Sequence, residues 1–153
     1  MTVKEKYEKL QKQHAQLPEF QRLDHEFEIS TLEKDDFLLR AIKRKISDRI
    51  GDLIDTLDTL LHPDGNTFSS LYEYGGIESS KKDLMLIYKK LMALEREYDA
   101  TTLTLSDSDD VAFIRHVFEV WPALRKSAAI YLQASKEHWE KSTETKAFLT
   151  YLG

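Results

Sequence analysis

The sequence predicts an all-α fold, an antiparallel helical bundle, and three observations carry that prediction. Leu39, Ile42, Ile46, Ile50, Leu53, Leu57 and Leu60 recur at alternating spacings of three and four, which puts them on one helix face turned toward a core. Only 5 Gly and 3 Pro occur in 153 residues, too few turn formers for a sandwich or barrel of many short strands. Hydrophobic residues make up 41% and charged residues 32%, the balance of an ordinary globular chain. At this length one domain is expected over 1–153, burying roughly 70% of its unfolded surface, with no disulfide or metal staple needed.

The elements follow in order. Val3, Tyr7 and Leu10 give the first stretch, 1–16, a thin apolar stripe, so it reads as a short helix or a loosely docked arm. Leu17-Pro18 ends it, and Pro18 suits the first turn of a second short helix carrying Phe20, Leu23 and Phe27. Ser30 and Glu33 have the spacing of a capping box, which starts one long central helix at about 31–61, roughly 45 Å long at 1.5 Å per residue. Gly51 lies inside it as a bend or close-contact point, and His62-Pro63-Asp64-Gly65-Asn66 is a stop and turn.

Leu84, Ile87, Leu91, Leu94 and Tyr98 form the seam of a second helix at about 78–98. Asp99–Ser106 breaks that pattern, and Thr101–Leu105 reads as a short extended piece. Asp107 or Ser108 then caps a third helix at about 108–142, with Asp109 and Asp110 suited to the positive end of its dipole. Its start, Val111 to Trp121, is apolar on nearly every side, which predicts burial all round, with His116 as a hydrogen-bonded core histidine. Pro122 should kink it. The apolar tail Ala147–Leu152 is expected to pack back.

Composition excludes several functions. Zero Cys removes disulfide scaffolds, iron–sulfur clusters, thiol catalysis and thiolate zinc sites. The N-terminus lacks the apolar core of a secretory signal, and no apolar run reaches the ~20 residues that span a bilayer, so a cytoplasmic protein without membrane contact is expected. The residues three before each of the five His are Gln11, Arg22, Thr59, Phe113 and Ser135, so the Glu-x-x-His motif of carboxylate-bridged metal bundles is missing. No phosphate-binding glycine loop, zinc-protease motif or nucleophile elbow occurs. No cofactor is expected.

Three constellations remain. Asp48, Asp52 and Asp55 share one helix face and could hold Mg²⁺ through a few carboxylate contacts and waters, which would suit a Mg-dependent phosphohydrolase on an all-α fold. Arg40, Lys43, Arg44, Lys45 and Arg49 form a basic cluster able to neutralise phosphates; it lacks a groove-reading motif and interleaved aromatics, so nucleic acid is the weaker alternative. Phe68, Leu71, Tyr72 and Tyr74 concentrate apolar and aromatic side chains in a loop, a composition suited to protein contact. The helix at 31–61 also outruns the one at 78–98, so part of its seam, at Leu39 and Ile46, is expected to meet the rest of the bundle or a second copy in a dimer. The expected function is therefore a non-enzymatic protein-interaction or assembly subunit, with a protein partner or self-association.

Overall fold

The computed structural model describes residues 1–33, 36–61 and 81–142 (side chains through 140), and every regular element among them is helical. They are α1 (Val3–Gln13), α2 (Phe20–Phe27), a 3₁₀ turn (Ile29–Thr31), α3 (Leu38–Leu61), α4 (Lys81–Thr104) and α5 (Asp107–Ser142). The helical bundle is thus the fold. The stop at His62–Asn66, the loop holding Phe68, Leu71, Tyr72 and Tyr74, and the tail Ala147–Leu152 lie outside the described residues.

The chain groups into two compact units, Met1–Asp52 with Leu91–Pro122, and Leu53–Lys90 with Ala123–Gly153. In the first, Ser47 pairs with Glu95 and Lys43 meets Tyr98, so α3 and α4 run antiparallel. Tyr98 against Phe113 and Glu97 against His116 make α4 and α5 antiparallel as well. Its core is built from Phe20, Leu23, Phe27 and Ile29 with Ile42, Ile46 and Ile50 of α3 and Ile114 and Val117 of α5. The second unit buries Leu57, Leu61, Leu84 and Ala128, and Asp83 of α4 accepts a hydrogen bond from Tyr131 of α5.

Two helix boundaries differ from the sequence expectation, each for a physical reason. The long helix starts at Leu38, not at residue 31. Glu28 closes α2 in the left-handed conformation, φ 53°, and the reversal buries Ile29. Asp24 then takes the Ser30 N–H at 2.6 Å, and Thr31 Oγ1 donates to the Glu28 carbonyl at 2.7 Å. These local bonds hold 29–31 as a tight turn and override the Ser30–Glu33 cap. A capping box does form at the start of α1, between Thr2 and Glu5.

The second helix continues to Thr104 instead of breaking at Asp99. Buried Thr101 extends its seam one step, and the Thr101 and Thr102 hydroxyls donate to the carbonyls of Tyr98 and Asp99, both at 2.6 Å. Such back-bonding gives the hydroxyls acceptors inside the helix itself, so the polar stretch continues it. The apolar run that follows the first turn of α5 buries only its inner side: Ala112, Arg115 and His116 are exposed, and His116 Nδ1 lies 2.7 Å from Glu97 Oε2. His116 is therefore not a core histidine. Pro122 lies inside α5, leaving the Phe118 carbonyl without its helical donor, and the first unit ends there.

On α3 the buried series passes through Ile54, with Leu53 half-buried. Among the described residues α3 and α4 have 24 residues each. Leu39 and Ile46 are 5% and 0% exposed. Both pack into the chain's own core, which leaves little of either side chain at the surface.

The N-terminal helix is anchored by Tyr7, fully buried, with its ring 5.6 Å from Phe20 and its hydroxyl donating to the Pro18 carbonyl at 2.5 Å. Burial raises the Tyr7 hydroxyl well above the usual tyrosine value. Because the folded value exceeds the unfolded one, this stability is full below pH of about 10 and falls as pH rises past it. Tyr7→Phe should therefore lose stability less steeply than wild type between about pH 9 and about pH 11, while losing about 1 kcal/mol at neutral pH with the Pro18 bond. Urea unfolding across that range decides it; equal alkaline slopes would contradict the assignment.

Two backbone positions carry the less suitable residue. A Cβ on Gly51 would meet nothing within 4 Å among the described residues, so neither close contact nor backbone geometry requires glycine inside α3. Leu105, between α4 and α5, has φ 52° with its side chain exposed, a conformation costing about 1–2 kcal/mol for a non-glycine residue. Gly51→Ala and Leu105→Gly should each stabilise the fold by about 0.5–1 kcal/mol. A lowered denaturation midpoint in either variant would show that the local backbone reading is wrong.

Candidate functional site

The tertiary structure disperses the basic cluster. Lys43 turns inward and is 4% exposed; its Nζ lies 2.8 Å from Asp110 Oδ1 and 5.5 Å from the centroid of the Tyr98 ring. It is thus removed from any phosphate-binding surface. Lys45 reaches Thr31 Oγ1, and Arg49 pairs with Glu28 at 3.1 Å. Arg44 is exposed, and the Arg40 guanidinium lies 4.8 Å from the centroid of the Phe37 ring. The cluster therefore does have an aromatic neighbour, which lies outside the 40–49 run and so does not interleave it in the sequence.

Phe37 is the residue around which a surface forms. It sits in the turn just before α3 and is 60% exposed. Two grooves share it. One, of 460 Å³, is lined by Leu10, Leu38 and Leu39 with Lys6, Lys9 and Arg40 at its polar positions. The other, of 640 Å³, has Leu32 and Ala41 with Arg40, Arg44 and Lys45. Among the described residues the first groove also has Gln13, Asp36 and Asp107, and the second Glu33 and Asp48. The turn exposes Phe37 because Leu38 and Leu39, both buried, take the core positions at the helix start.

The acidic stripe does not converge. Asp48, Asp52 and Asp55 are all exposed on α3, and among the described residues no group of three or more His, Asp or Glu is placed to hold a metal ion. The pair His116–Glu97 stands at the surface with its side chains 49% and 37% exposed, too open to desolvate a reacting group. Among the described residues no helix is long and apolar enough to cross a membrane. Comparison with protein-family models, curated proteins and solved structures finds no match to this chain.

The buried ion pair is structural in its energetics. Asp110 is 1% exposed, its Oδ1 meets Lys43, and its Oδ2 is buried with no hydrogen-bond partner among the described residues. Removing one partner strands a charge in the core, at a cost of about 3–5 kcal/mol, whereas an apolar pair of similar volume can be neutral. Asp110→Ala should therefore lower stability by about 3–5 kcal/mol, and adding Lys43→Met should recover most of that loss. Chemical unfolding of both single variants and the double variant tests this; additive losses would mean the two side chains do not act as a pair.

Proposed function

We propose that the chain is a cytoplasmic, non-enzymatic protein-interaction module whose contact face is centred on Phe37. One observation carries the reading: a large aromatic side chain is 60% exposed between two grooves. Covering the exposed part of a phenylalanine is worth about 3 kcal/mol at 25 cal/mol per Å², before the costs of association. An aromatic anchor with arginine beside it is also the composition found at interface centres. The Arg40 guanidinium against the ring supplies that pairing.

A photo-crosslinking amino acid at position 37, compared with one at exposed Lys126, tests the reading in cells. Position 37 should give discrete heavier species that position 126 does not, and their yield should fall with Arg40→Glu. Identical patterns at the two positions, or none at 37, would remove the case for this face.

A further inference from the structure

We draw no further inference here: the strongest candidate, the apolar surface patch of Leu103 and Leu105 where α4 turns into α5, 84% and 63% exposed, carries nothing, because nothing in the structure shows what covers it.

Discussion

Taking Lys43 and Asp110 out of water together constrains the first unit more than any other contact. A lone charge in that core would be far costlier than the pair, so α3 and the start of α5 can meet only in the register that brings Nζ to Oδ1 at 2.8 Å. Tyr98 of α4 lies within cation–π distance of the same ammonium, and Ser47 and Glu95 pair farther along α3 and α4. The three helices are thus keyed by polar contacts inside an otherwise apolar core. Aliphatic packing alone tolerates sliding by a turn; a buried charge pair does not.

The short N-terminal elements join this unit through local geometry. Glu28 in the left-handed region folds the chain back after α2 and lets Ile29 bury, while its carboxylate reaches Arg49. The Phe27 ring lies 5.5 Å from Trp121, and Arg22 stacks over Phe118 at 5.0 Å, so α2 covers the inner side of α5. Tyr7 in turn fastens α1 through Phe20 and the Pro18 carbonyl. Each step places Lys6 and Lys9 closer to the turn that carries Phe37, and this is how an α1 face comes to line a groove with α3.

The candidate surface was only partly legible in the sequence. The richness of 40–49 in Lys and Arg is plain in one dimension, yet its five members go to different surroundings: the core for Lys43, Thr31 for Lys45, Glu28 for Arg49, the Phe37 ring for Arg40 and open surface for Arg44. Helical spacing could have flagged Lys43, because it follows Leu39 by four residues and precedes Ile46 and Ile50 on the buried stripe. A lysine within an apolar seam calls for a buried partner. Asp110 could be identified as that partner only once α5 was in place, since 67 residues separate the two.

The sequence by itself determined the helical class, the buried faces of α3 and α4, and the start of α5 to within a residue, because periodicity and capping are local properties read over a few turns. It also determined that thiol chemistry is excluded. Only the tertiary structure decided where α3 begins, how far α4 runs and which charges stay at the surface. Those outcomes depend on competition between a local cap and a distant core: Ile29 is buried while Ser30 stays exposed, and Thr101 is buried one helical step beyond Tyr98, which packs on Phe113. Exposure of Phe37 follows from the same competition, since one turn of helix cannot bury Phe37, Leu38 and Leu39 on a single face.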